Sequence, residues 1–146
     1  RHDLIINSLN SMGVKIKFIE DGDVSGVISV ADSKMNVDIY LGTGGGPEGV
    51  LAAAALYCLG CQMQTRLVFQ NSTEKERAKK MGINNLEKKY YIEDMVKGDV
   101  IFCATGVTDG ELVKGIILNK DTFTSETLIL HKSSNTNLIK KDTIKK

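Results

Sequence analysis

Gly42-Thr43-Gly44-Gly45-Gly46 runs directly into Pro47-Glu48, and this stretch is the best equipped for chemistry. Its glycines remove the side chains that would hold a ligand away from the main chain. A glycine-rich turn that opens a helix also aims backbone N–H groups at an anion. No Lys-Ser or Lys-Thr follows, so this is not a Walker A loop, and the spacing does not fit the dinucleotide fingerprint. Glu48 falls in the first turn of the helix. A carboxylate beside such a loop can ligate a hard cation, Mg²⁺ or Mn²⁺. The positive end of the helix dipole also accounts for it, at roughly 0.3–1 kcal/mol. A purely structural role for the loop stays open at this level.

Other chemistry-bearing groups are scattered. Asp21-Gly22-Asp23 places two short carboxylates around a flexible turn, suited to sugar hydroxyls or a metal and equally to an ordinary solvated turn. Arg1 has the planar fork that clamps phosphate. Residues 105–110 (Thr-Gly-Val-Thr-Asp-Gly) end a strand with hydroxyls and a carboxylate, types that a tight turn needs too. His2 and His131 have no evident acid or nucleophile partner, and nothing suggests a Ser-His-Asp arrangement. Cys58 and Cys61 have CxxC spacing, but at the end of an apolar helix and not at the N-terminus that would stabilise a thiolate. No second CxxC or histidine pair completes a zinc site. The third cysteine, Cys103, makes the count odd, and with no signal peptide this predicts free thiols in a reducing compartment, the cytoplasm.

The elements that must position these residues follow from periodicity. Residues 3–12 predict a helix with Leu4, Ile5, Leu9 and Met12 on one face and Gly13 as its stop. Residues 14–19, 24–30 and 37–41 read as strands by alternation and composition, with residues 20–23 as a turn. Residues 47–59 form the strongest helix, with Pro47 in its first turn and Gly60 just past its end. Being apolar on nearly every face, it should lie between layers. Residues 62–69 alternate as a strand. Thr73 and Glu76 suggest a capping box for a charged helix that stops at Gly82. Residues 99–105 read as a buried strand, with further strands at 112–118 and 123–132. Lys132, Lys140, Lys141, Lys145 and Lys146 face only Asp142, which predicts a solvated, frayed tail. Helices and strands alternate and then strands dominate, so the fold class is α/β, a mixed β-sheet flanked by helices in one domain spanning residues 1–146.

Composition excludes several classes. Lys plus Arg number 19 against 18 for Asp plus Glu, so no global field argues for nucleic acid or a membrane surface. No apolar run reaches membrane-spanning length. The opening Arg1-His2-Asp3, without methionine or targeting pattern, reads as a piece of something longer.

Together these segments resemble class II fructose-1,6-bisphosphatases of the GlpX type. The string GTGGGPEGVLAAAALYCLGCQMQTRL from Gly42 to Leu67 carries the resemblance, with YYIEDMVKGDVIFCATGVTDGELVKGI from Tyr90 to Ile116 as a second signature. Arg1-His2 is similar to the end of the family's D-[KR]-P-R-H segment, and Asp21-Gly22-Asp23 to its sugar-contacting turn. The resemblance covers nearly the whole chain and is weakest over its last residues.

It implies roles residue by residue. Arg1 would bind a substrate phosphate, Asp21, Gly22 and Asp23 would contact the sugar, Gly45 would bring its backbone to the substrate, and Glu48 would be a metal ligand. It implies hydrolysis of the 1-phosphate of fructose 1,6-bisphosphate, with sedoheptulose 1,7-bisphosphate as a second substrate, using Mn²⁺ or Mg²⁺ in gluconeogenesis. The implied fold is the C-terminal part of the sugar and inositol phosphatase superfamily. Family members are about twice as long and carry most metal-binding carboxylates in the N-terminal half. The chain is therefore expected to be a C-terminal substrate-binding half, inactive alone, whose partners are the missing N-terminal half and further copies in a homo-oligomer. A non-catalytic phosphate- or nucleotide-binding module using the Gly42 to Glu48 loop is the alternative, and a domain serving as an assembly surface is a third reading.

Overall fold

The computed structural model describes residues 2–19 and 22–146, with Asp23 described through its backbone alone. Eleven helices and strands follow one another among these residues: α1 (Asp3–Ser11), α2 (Asp23–Ile28), α3 (Gly46–Leu59), β1 (Gln64–Arg66), α4 (Ser72–Lys80), β2 (Lys89–Tyr91), α5 (Ile92–Met95), β3 (Ile101–Thr105), β4 (Ile117–Leu118), β5 (Thr122–His131) and β6 (Thr136–Lys145). Two 3₁₀ turns, Ser29–Ala31 and Ser33–Met35, follow α2. The class is α/β, a sheet flanked by helices as expected, and the strand pairs are antiparallel.

The helix α3 organises the core. Pro47 sits at its start, where a missing N–H costs nothing, and Gly60 ends it in the left-handed region at φ 71°. Ala55 and Cys58 pack with Ile28, Phe102, Leu128 and Leu130, joining α3 to α2 and to strands β3 and β5. Ala52, Ala53 and Leu56 pack with Val27 and Ile92, joining the same helix to α2 and α5. The expected placement between layers therefore holds for most of α3. Val50 and Leu51, half exposed, mark the part that no described element covers.

The larger sheet is built around β5. Its whole length pairs with β6, from Thr122↔Lys145 to His131↔Thr136. On its other edge, β3 pairs with one end and β4 with the other. Strand β6 corrects the reading of residues 132–146 as a frayed tail. Its Leu138-Ile139 and Lys140-Lys141 pairs show no period of two, and a partner strand supplies the hydrogen bonds that this pattern does not announce. The hydroxyls of Thr124 and Thr143 lie 2.9 Å apart across the pair. A smaller two-stranded sheet pairs β1 with β2.

Three expected strands do not form. Residues 14–19 and 37–41 have strand-like alternation but no described strand lies beside them, and alternation supplies a face without supplying backbone partners. Residues 24–30 are helical, continuing into the first 3₁₀ turn. There Gly26 is buried against Ile19 and Tyr40, a close approach that a helix can make and a Cβ would obstruct. Of the turn expected at 20–23, Glu20 and Asp21 lie outside the described residues, and Gly22 with Asp23 begins α2.

Smaller corrections have local causes. The α4 cap lies two residues earlier than Thr73 and Glu76. Asn71 Oδ1 accepts from the Glu74 N–H at 2.9 Å, and Glu74 Oε2 accepts from the Gln70 N–H at 2.8 Å. The expected strand at 62–69 shrinks to β1, and that at 112–118 to β4. The strand expected as buried at 99–105 is half-buried, with Phe102 inward and Ile101 66% exposed. The short elements β2 and α5 carry too few residues to show a period.

Leu130 is 1% exposed at the junction of β5, β3 and α3. Leu130→Ala should destabilise the chain by about 2–5 kcal/mol through lost transfer energy and a residual cavity. Urea denaturation would measure this, and a change below about 1 kcal/mol would contradict the packing described here.

Candidate functional site

The loop 42–45 is held from two sides. His2 Nε2 accepts the Thr43 N–H at 2.9 Å, so the residue that precedes α1 anchors the loop. The Tyr40 ring lies against both Gly26 of α2 and Gly42 of the loop. A Cβ on Gly42 would come 2.8 Å from the Tyr40 hydroxyl, and one on Gly26 would come 3.0 Å from the ring. One aromatic side chain thus ties the helix that Gly22 opens to the glycine loop.

The loop ends at Gly45, the N-cap residue of α3, in extended geometry at φ −72° and ψ 156°. No side chain caps this helix, which leaves first-turn N–H groups to solvent or a ligand. Glu48, the third residue of α3, folds its carboxylate back over Gly45, where a Cβ would collide with Glu48 Oε2. Gly45 and Glu48 are thereby brought together, exposed, at the positive end of a 14-residue helix.

The other predicted site residues are placed less completely. Arg1 and Asp21 lie outside the described residues. Gly22, at φ 83°, is the exposed N-cap of α2, and the Ser25 hydroxyl donates to its carbonyl at 2.8 Å. Asp23 is the first residue of that helix. Among the described residues, no three His, Cys, Asp or Glu side chains come together as a metal site. Glu48 by itself does not fit a divalent ion as a complete centre.

Beside the loop opens a cleft of about 850 Å³, bordered by Gly42, Tyr40, Tyr57, Gln64, Tyr91 and Lys132. The Lys132 ammonium sits 4.9 Å from the centre of the Tyr57 ring. Gly45 and Glu48 stand outside this lining. Cys58 donates toward the Val100 carbonyl at 3.5 Å, and burial pushes its thiol above the ordinary range. A structural cysteine is the reading that this favours.

The segment 105–116 has a packing explanation. A Cβ on Gly106 would collide with the Lys114 carbonyl, and one on Gly115 would come 2.6 Å from the Thr108 backbone. The Gly115 N–H donates to Asp109 Oδ1 at 2.9 Å, and the Ile116 N–H to the Val107 carbonyl at 3.1 Å. Its glycines and Asp109 let the loop close on itself.

His131 does have partners, contrary to the sequence reading. Its Nε2 lies 2.8 Å from Asp99 Oδ2, and its Nδ1 lies 2.7 Å from Ser134 Oγ. Asp99 Oδ1 also accepts the Ser133 N–H at 3.2 Å. This network ties the β5–β6 turn to the start of β3. Sequence alone hides it, because 32 residues separate Asp99 from His131 and only strand pairing joins them. His2 and Tyr40 as supports of the loop were missed for the same reason.

The chain matches the family model described as bacterial fructose-1,6-bisphosphatase, glpX-encoded, over residues 1–143. It is 36% identical to the fructose-1,6-bisphosphatase class 2 of Haemophilus influenzae, across 93% of this chain and 45% of that protein. It is 32% identical to a D-fructose 1,6-bisphosphatase class 2/sedoheptulose 1,7-bisphosphatase of Gloeobacter violaceus, across 93% of this chain and 43% of that protein. The chain therefore spans less than half the length of these curated relatives. No helix among the described residues is long and apolar enough to cross a membrane.

Hydrogen bonding from the Ser133 side chain, then from the His131 ring, holds the Asp99 carboxyl down at about 2, from an ordinary 3.8. A depressed carboxyl stabilises the fold fully above its unfolded value, and that contribution is lost as pH falls through the folded value. The β5–β6 turn should therefore loosen between pH 3.8 and about 2. Amide spectra of residues 131–136 across that range would show it, and Asp99→Asn should remove the transition. An unchanged transition in that variant would contradict the assignment.

Proposed function

The chain belongs to the family of glpX-encoded bacterial fructose-1,6-bisphosphatases, and from that premise we propose that it is the substrate-holding part of a metal-dependent phosphatase. The substrate is fructose 1,6-bisphosphate, cleaved at its 1-phosphate, with sedoheptulose 1,7-bisphosphate as a second substrate. The setting is gluconeogenesis in the cytoplasm, a compartment that suits three free thiols.

The observation that carries the reading is the junction of the glycine loop with α3. The loop is fixed by His2 and Tyr40, and the helix start has no side-chain cap. Backbone N–H groups without a protein partner at a helix start suit a phosphate or its ester oxygens. Gly45 brings its backbone to the substrate, and Arg1 takes a substrate phosphate. Asp21, Gly22 and Asp23 contact the sugar. Gly22 is the N-cap of α2, which Tyr40 packs against the loop, so a shared pocket is consistent with the geometry.

Glu48 supplies one ligand to Mn²⁺ or Mg²⁺, and carboxylates of the other half of the protein complete the site. Bound there, such an ion would supply Lewis-acid and water-activating chemistry. The partner half is supported by the surface as well. Leu4, Phe18, Ile39, Val50 and Leu51 are exposed on the segments around the loop, and such exposure suits burial against the other half. The outer face of the sheet, with Ile101, Leu118 and Leu138 exposed, suits contact between copies in a homo-oligomer.

Phosphate release from fructose 1,6-bisphosphate with Mn²⁺ or Mg²⁺ tests the proposal. This chain would be compared with the same chain joined to the first half of the Haemophilus influenzae relative. Turnover is expected in the joined protein only, with Glu48→Gln lowering it by about 10²–10³-fold, the scale of losing one charge-stabilising group. Turnover by the chain alone would contradict the division of labour. Failure of both to turn over, with phosphate still bound at the loop, would leave a non-catalytic phosphate-binding module.

A further inference from the structure

A second cavity, of about 450 Å³, lies away from the loop, between the α2 segment and the inward face of the larger sheet. Its volume falls within the range of small-molecule sites. Ile28, Leu59, Leu128, Leu130 and Ile139 make its apolar floor. The β5–β6 register builds this wall by setting Leu128 opposite Ile139 and Leu130 opposite Asn137.

The polar part of the lining is biased toward acceptors. Ser25 and Ser29 already donate their hydroxyl protons to the Gly22 and Gly26 carbonyls, at 2.8 and 2.6 Å, so each offers oxygen lone pairs. Asp32 uses Oδ1 for the Lys34 N–H, and Glu111 uses Oε1 for the Lys17 ammonium. Each carboxylate keeps a second oxygen. Ser33 and Asn137 add neutral groups, and among the described residues no Lys, Arg or His lines the space. Acceptors of negative charge above an apolar floor complement a donor of positive charge on a hydrocarbon body.

We propose that this cavity is a separate ligand site for an organic cation carrying an ammonium or guanidinium group on an apolar body. A carboxylate or phosphate ligand would meet like charge from Asp32, while Glu111 is already paired with Lys17, so the site is distinct in chemistry from the anion-seeking loop. The proposal stands independently of the phosphatase reading.

The test is titration of the 146-residue chain with 2-phenylethylammonium, followed by proton–nitrogen correlation spectra. Saturable shifts are expected at the amides of Ser25, Ser29 and Asn137. The neutral isostere 2-phenylethanol should bind more weakly, and 3-phenylpropionate should not bind. Asp32→Asn with Glu111→Gln should weaken the ammonium by about threefold to tenfold, the scale for two solvent-facing charges, and leave the alcohol unchanged. Both positions are on the surface, so the variant should fold. Absence of saturable shifts at those amides would overturn the proposal. Equal affinity for ammonium and alcohol, or full ammonium affinity in the double variant, would overturn it too.

Discussion

Burial of the alanine-rich middle of α3 is the constraint on which the rest depends. Ala53 and Ala55 are both 0% exposed, one facing the α5 side and the other the sheet. Side chains this small let elements approach the helix from two directions, and any larger one would need the layers to separate. Because α3 is fixed in this way, its N-terminal turn is fixed too, and with it Gly45, Glu48 and the end of the glycine loop. Packing energy spent in the middle of the helix thus decides where the polar chemistry at its end can occur.

A second consequence follows on the sheet side. Strand β5 is hydrogen-bonded along both edges, and its inward residues Leu128 and Leu130 press on α3 and α2. Strand β6 adds Asn137 and Ile139 to that face and so extends the wall against which the α2 segment sits. The same helix–sheet packing that seats the loop therefore also borders the second cavity. The Asp99–His131–Ser134 hydrogen bonds hold the β5–β6 turn to β3 and keep that wall in register.

Legibility in the sequence tracked the source of each signal. The helix α3 could be read closely, because Pro47, Gly60 and an unbroken apolar run are local features. The helix α1 was equally plain. Residues 24–30 misled because Val, Ser and Ile suit strands in composition, whereas the deciding fact is Gly26 pressed against Tyr40. Strand β6 was hidden because a lysine-rich stretch without a period of two resembles a solvated tail until a partner is supplied. For the site, the Gly42 to Glu48 loop was visible from residue types and from the family strings. Its supports, His2 and Tyr40, act through space and leave no spacing to detect. The roles assigned to Arg1 and Asp21 rest on resemblance, since both lie outside the described residues.

The proposed receptor for the phosphate of a sugar bisphosphate is the junction of the glycine loop and α3. The most direct measurement is a proton–nitrogen correlation titration of the chain joined to a relative's first half, using fructose 1,6-bisphosphate. Saturable shifts concentrated at the amides of Gly45, Gly46 and Glu48, and reduced when Gly45 is replaced by alanine, are the predicted result. Saturable binding that leaves those three amides unmoved would contradict the account.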